Sequence, residues 1–95
     1  MNSVKIGDVA TFQHVEKSKA QALKVVEEAA EVFSAWETYK TSAMLSSRGA
    51  LLNECADVIQ ATCNLIAALG VEDFVPFMQR CKQRNRERGR TYGHA

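Results

Sequence analysis

Leu51-Leu52-Asn53-Glu54-Cys55-Ala56-Asp57-Val58-Ile59-Gln60-Ala61-Thr62-Cys63-Asn64-Leu65-Ile66-Ala67-Ala68-Leu69-Gly70 is the stretch on which the fold turns. Leu52, Cys55, Ile59, Thr62, Ile66 and Leu69 recur at steps of three and four, and Leu51, Val58 and Leu65 widen the same face. That period predicts a helix over roughly residues 48–69, with Gly70 as its stop. A narrow polar stripe interrupts the apolar surface: Glu54, Asp57, Ala61, Asn64 and Ala68 also follow the helical period. Glu54 and Asp57 are three residues apart, so both carboxylates share one face.

Upstream, residues near 8–41 carry a second long helical pattern, with a possible break near Thr11-Phe12-Gln13. Leu23, Val26, Ala30 and Phe33 mark its apolar stripe. Gln21, Lys24, Glu28, Glu31 and Ala35 line a polar stripe that matches the one on the later helix. Ser42, Ser46, Ser47 and Gly49 suggest a loop, with Ser47 as a helix cap. Downstream, Glu72 or Asp73 begins a third helix that tolerates Pro76 in its first turn. It is expected to run to Arg88, with residues 89–95, including Tyr92-Gly93-His94-Ala95, loose. No period-two alternation appears, so the expected fold is all-α. It is an antiparallel helical hairpin plus a C-terminal helix, forming one domain over residues 1–95. Two apolar helices and a shorter one make a thin core, so a four-helix bundle completed by dimerisation is expected.

Composition narrows the possibilities. Net charge is +1 and apolar content is 46%, which fits a folded domain and not a disordered chain. No apolar run reaches the ~18 residues of a membrane span. The first residues, Met-Asn-Ser-Val-Lys-Ile, carry no secretory apolar core. Cys55, Cys63 and Cys81 lack metal-site spacing and suit reduced thiols, so the expected location is cytoplasmic. Residues 80–90 concentrate Arg80, Lys82, Arg84, Arg86, Arg88 and Arg90 against Glu87 alone. The carboxylates lie earlier. An acidic patch with a basic tail suits a ligand that is both metal-bound and polyanionic, although a basic tail could also serve nucleic acid.

The chemistry rests on two clusters, Glu27-Glu28-Ala29-Ala30-Glu31 and Glu54-Cys55-Ala56-Asp57. Residues 32–53 are enough to finish one helix, turn and return, so the two clusters can face each other. Carboxylates gathered in this way repel, and hard cations such as Mg²⁺ or Mn²⁺ relieve that by taking oxygen ligands. Pairs of Glu at helical spacing more often decorate a solvated face. The second pair resists that reading because Leu51, Leu52, Cys55, Val58 and Ile59 surround it. Glu27 points about 100° away from Glu28 and is the weaker ligand candidate. No Gly-rich phosphate loop is present, and no His accompanies the carboxylates as in di-iron bundles. His14 could contact a base, and Trp36 or Tyr39 could stack on one, although helical aromatics are more often core or interface.

These residues resemble the MazG-like, all-α nucleoside triphosphate pyrophosphohydrolases, whose hallmark is Glu-Glu-x-x-Glu, a gap, then Glu-x-x-Asp. The similarity continues from Ala56 to Leu65, including Asn64, and through Lys82, Asn85 and Arg88, which match a Lys-x-x-Asn-x-x-Arg tail. It covers about residues 20–90. The resemblance implies Mg²⁺, with Mn²⁺ as a substitute, held by Glu28, Glu31, Glu54 and Asp57. It implies hydrolysis of a (deoxy)nucleoside triphosphate to the monophosphate and pyrophosphate, a reaction suited to nucleotide-pool housecleaning. Glu27 or Glu31 is the expected general base. Lys24, Asn64, Lys82, Asn85, Arg88 and Trp36 are the expected substrate contacts. The expected partners are that substrate and further copies of the chain, as homodimer or homotetramer, with neither membrane nor nucleic acid. The competing reading is a non-enzymatic helical module that binds nucleic acid or a protein through its basic C-terminal helix.

Overall fold

The structure is a computed structural model and describes residues 2–91. Three helices form: α1, Lys19–Thr41; α2, Leu45–Ala68; and α3, Val75–Glu87. The described residues contain no strand, as the all-α expectation required. They divide into two compact units, one spanning Val9–Gly70 and the other residues 2–8 with residues 71–91. The expected loose tail from Tyr92 to Ala95 lies outside the described residues.

In the first unit α1 and α2 pack together as a hairpin. Their link is short, residues 42–44, so the helices run antiparallel. On α1 the less exposed positions are Gln21, Val25, Glu28, Val32, Ala35 and Tyr39, at alternating steps of four and three. On α2 the matching series is Ser47, Leu51, Glu54, Val58, Ala61, Leu65 and Ala68. Steps of this kind make a straight seam between helices at a shallow crossing angle. Among the described residues Ala61 and Asn64 are the most buried side chains, each at 4% exposure.

That seam corrects the expectation for α1. Leu23, Val26 and Phe33 are 46%, 63% and 56% exposed, and Ala30 is exposed as well. They form a second apolar stripe, displaced around the helix from the seam. The seam itself carries the carboxylate of Glu28.

The expected start of the first helix near residue 8 is also corrected. Ser18 is the N-cap and its hydroxyl accepts from Gln21 N at 3.2 Å. Before it the chain is irregular, and His14 takes a left-handed turn at φ 61°. The segment's backbone groups go to α2 instead of to their own helix. Phe12 N donates to Asn64 Oδ1 at 3.0 Å, and Ala10 O accepts from Gln60 Nε2 at 2.9 Å.

The α2 helix begins three residues before its expected start. Ser46, Ser47 and Gly49 are helical and not loop. The Ser47 hydroxyl still caps, now from inside the first turn. It accepts from Met44 N at 3.0 Å and donates to Ser42 O at 2.6 Å. Gly70 stops the helix at φ 79°, a region L side chains rarely enter.

In the second unit, Asp73 Oδ1 accepts from Val75 N at 3.0 Å, so the turn at Asp73 precedes α3 and Phe74 is the cap. Pro76 sits in the first turn, where its missing N–H costs nothing. The helix ends in a Schellman pattern. Gly89 N donates to Arg86 O at 3.0 Å and Arg90 N to Asn85 O at 2.9 Å, with Gly89 at φ 68°.

Candidate metal centre

Three carboxylates from the two hairpin helices converge. Glu28 of α1 and Glu54 and Asp57 of α2 each present an oxygen, and these oxygens lie within 4.8 Å of one another. Glu28 and Glu54 are half-buried and Asp57 is exposed. The arrangement follows from local structure. The spacing from Glu54 to Asp57 is one helical turn, and the hairpin seam places Glu28 opposite them.

Burial raises the pKa of the Glu54 carboxyl above its usual value, and the charges of Asp57, Glu31 and Glu28 add to that rise. A proton is one way to relieve such crowding and a cation is another. The donor set suits a hard divalent ion, since it is all oxygen and all carboxylate. Ligands of Mg²⁺ at ~2.1 Å stand at most about 4.2 Å apart, so small side-chain rotations would bring these three into range.

Lys24, expected to meet substrate, reaches this cluster from one turn earlier on α1. Its ammonium lies 3.3 Å from Glu28 Oε1 and 3.4 Å from Glu27 Oε2. The Glu28 carboxylate chiefly, with Glu27 behind it, holds the Lys24 pKa above its usual value. Glu27 is thus engaged with Lys24, on the solvent side. Glu31, expected as a ligand, lies outside the group of three. It is exposed, is close enough to act electrostatically on Glu54, and has no ion pair among the described residues.

The remaining expected contacts are dispersed. Asn64 is buried with its Oδ1 occupied by two donors, Phe12 N and Gln60 Nε2, each at 3.0 Å. Trp36 is 46% exposed and tilts against Tyr39 with ring centroids 5.8 Å apart. Lys82, Asn85 and Arg88 belong to the second unit. Lys82 is exposed on α3, Asn85 is half-buried, and Arg88 caps the helix end. Asn85 Nδ2 donates to Cys81 Sγ at 3.6 Å, and its Oδ1 accepts from Arg90 at 3.4 Å.

Sequence reasoning missed Gln60, which ties Asn64 and Ala10 together. The signal was present, since Gln60 and Asn64 are one helical turn apart, where Gln-to-Asn hydrogen bonds form. No family model, curated protein or solved structure matches the chain. No helix among the described residues is long and apolar enough to cross a membrane.

Proposed function

We propose that the chain is a Mg²⁺-dependent nucleoside triphosphate pyrophosphohydrolase of the MazG-like kind, which cleaves between the α- and β-phosphates to give a monophosphate and pyrophosphate. The observation that carries the reading is the convergence of Glu28, Glu54 and Asp57 from opposite strokes of one hairpin. Glu28, Glu54 and Asp57 would hold the cation. Bound there, a divalent ion would offset phosphate charge and acidify a water.

The chain's own residues then have separate tasks. Glu31 is next to the cluster and free of an ion pair among the described residues, which supports it over Glu27 as the acceptor of the water's proton. Lys24 pairs with Glu28 at 3.3 Å, and with that carboxylate committed to a cation its ammonium would be available to the triphosphate. Asn64, with its oxygen committed to Phe12 and Gln60, fixes the segment before α1 against α2. The MazG-like resemblance assigns compensation of triphosphate charge to the cations Lys82 and Arg88 and a substrate contact to Asn85. The exposed stripe of Leu23, Val26 and Phe33 supports a homodimer or larger homo-oligomer, because monomers rarely leave such a stripe in water.

The test is a panel of ribo- and deoxyribonucleoside triphosphates incubated with the protein and Mg²⁺, with products separated by ion-exchange chromatography. Monophosphate and pyrophosphate in equal amounts are expected from at least one nucleotide. Diphosphate and orthophosphate, or no product from any member, would contradict the reading.

A further inference from the structure

The second unit carries a surface that triphosphate hydrolysis does not use. Phe74 and Phe77 stack with ring centroids 5.2 Å apart and planes 18° from parallel. The Arg80 guanidinium lies 4.6 Å from the centroid of the Phe77 ring. Two stacked rings and a cation over one of them thus lie together at the start of α3. The cluster is open to solvent, with Phe77 46% exposed and Arg80 exposed. At 100° per residue, Phe77, Arg80 and Arg84 fall within an arc of about 60° and span about 10 Å of helix. Lys82 and Asn85 lie on a different arc, and Arg88, at the helix cap, borders this one on the side away from Arg80.

The charge on this helix is unbalanced. Six basic residues face Glu87 alone between positions 80 and 90, a net +5 in a chain of net +1, so the rest of the chain carries −4. Among the described residues none of these six makes an ion pair. Glu87 accepts from Gln83, and Arg86 donates to Gln83. No protein carboxylate among the described residues pairs with these cations, so the face is open to an anionic ligand.

We propose that the Phe77–Arg80–Arg84 face of α3 binds a single-stranded polynucleotide. The exposed aromatic edge of Phe77, with the Arg80 cation over its ring, offers a contact for an unpaired base, and Arg80 and Arg84 contact successive phosphates. The sequence alone ranks nucleic acid second because a basic tail is common. The pair of stacked rings with a guanidinium over one of them adds a feature that recognises bases. An acidic protein would satisfy the charge but leaves the planar stack without a purpose. A membrane surface fits less well, because an interfacial helix needs an apolar face along its length. Here the exposed large apolar residues, Val75, Phe77 and Met78, are confined to the start of the helix.

The test is fluorescence anisotropy of a labelled oligodeoxythymidylate of about twelve nucleotides with the full chain. EDTA keeps the result independent of the hydrolytic reading. Binding is expected, with the logarithm of the affinity falling linearly with that of salt concentration. Arg80→Ala with Arg84→Ala should lower that slope by about 1.4, which is two phosphate contacts at ~0.7 each. Phe77→Leu should weaken binding about fivefold or more at unchanged slope, and should lose the preference for single strand over a duplex of equal length. Arg86→Ala, on another arc, should change the slope less than either Arg80→Ala or Arg84→Ala alone. Circular dichroism checks that each variant stays helical. Three results would each overturn the proposal: no oligonucleotide binding, equal slope losses for Arg80, Arg84 and Arg86, or binding only to vesicles of phosphatidylcholine and phosphatidylserine.

Discussion

Replacing Asn64 by Ala probes how the segment before α1 is held. Asn64 is 4% exposed, and its Oδ1 accepts from Phe12 N and Gln60 Nε2, each at 3.0 Å. Removing the acceptor forfeits two hydrogen bonds at about 1 kcal/mol net each, and it leaves the Phe12 amide without its partner in a partly buried position. Alanine returns roughly 0.5 kcal/mol through its greater helix propensity. The expected loss is about 1–2 kcal/mol, which in a domain of this size lowers the melting temperature by about 4–16 °C. Urea unfolding followed by circular dichroism measures it. Gln60→Ala removes the other end of the network, since Gln60 Nε2 also donates to Ala10 O at 2.9 Å. The double variant should therefore lose less than the two singles together, by about 0.5 kcal/mol or more. Amide exchange at Phe12 gives the local readout and should accelerate in Asn64→Ala. An Asn64→Ala protein within about 0.3 kcal/mol of wild type, with Phe12 exchange unchanged, would refute the reasoning.

Three further outcomes follow from the same geometry. Glu54→Gln should stabilise the metal-free protein at neutral pH. The folded-state pKa of Glu54 is raised, so its contribution is fully present below its unfolded value near 4.5 and is lost as pH rises through the folded value. The advantage of the variant in thermal melts should then grow from pH 4 to pH 7, and an advantage that shrinks over that range would contradict the shift. In steady-state assays of triphosphate hydrolysis, Lys82→Ala and Arg88→Ala should raise KM or lower kcat by about tenfold or more, with Arg86→Ala near wild type. Equal losses in all three would remove the charge-compensating role. Light scattering at micromolar concentration should report at least a dimer, and Leu23→Glu with Phe33→Glu should dissociate it; a monomeric wild type would refute the assembly.

The course of α2 was legible because its pattern is redundant. Of the stripe Glu54, Asp57, Ala61, Asn64 and Ala68 read from the sequence, all but the exposed Asp57 lie on the less exposed face, and Gly70 and Gly89 stop helices at positive φ. The start of α1 was not legible, because Val9, Phe12 and Val15 recur every three residues and imitate a helix. Their backbone partners lie about fifty residues away on Gln60 and Asn64, beyond any local signal. The seam of α1 was hidden for a different reason. Two stripes compete on that helix, and the more apolar one, Leu23 to Phe33, is not the one that meets α2. At the site, the sequence singled out the three converging carboxylates, but it could not see that Lys24 occupies Glu28 or that Glu31 stands outside the group.

The claim that most depends on this geometry is that Glu28, Glu54 and Asp57 form one divalent-cation site with Glu31 beside it. Titration with Mn²⁺, with the free ion followed by electron paramagnetic resonance, measures it in the absence of any nucleotide. Wild type should bind Mn²⁺ in competition with Mg²⁺, and Asp57→Asn should weaken binding by about tenfold or more. Glu31→Gln should keep its affinity within a few-fold of wild type. Mn²⁺ binding that is the same in wild type and Asp57→Asn, or that is lost only in Glu31→Gln, would contradict the account.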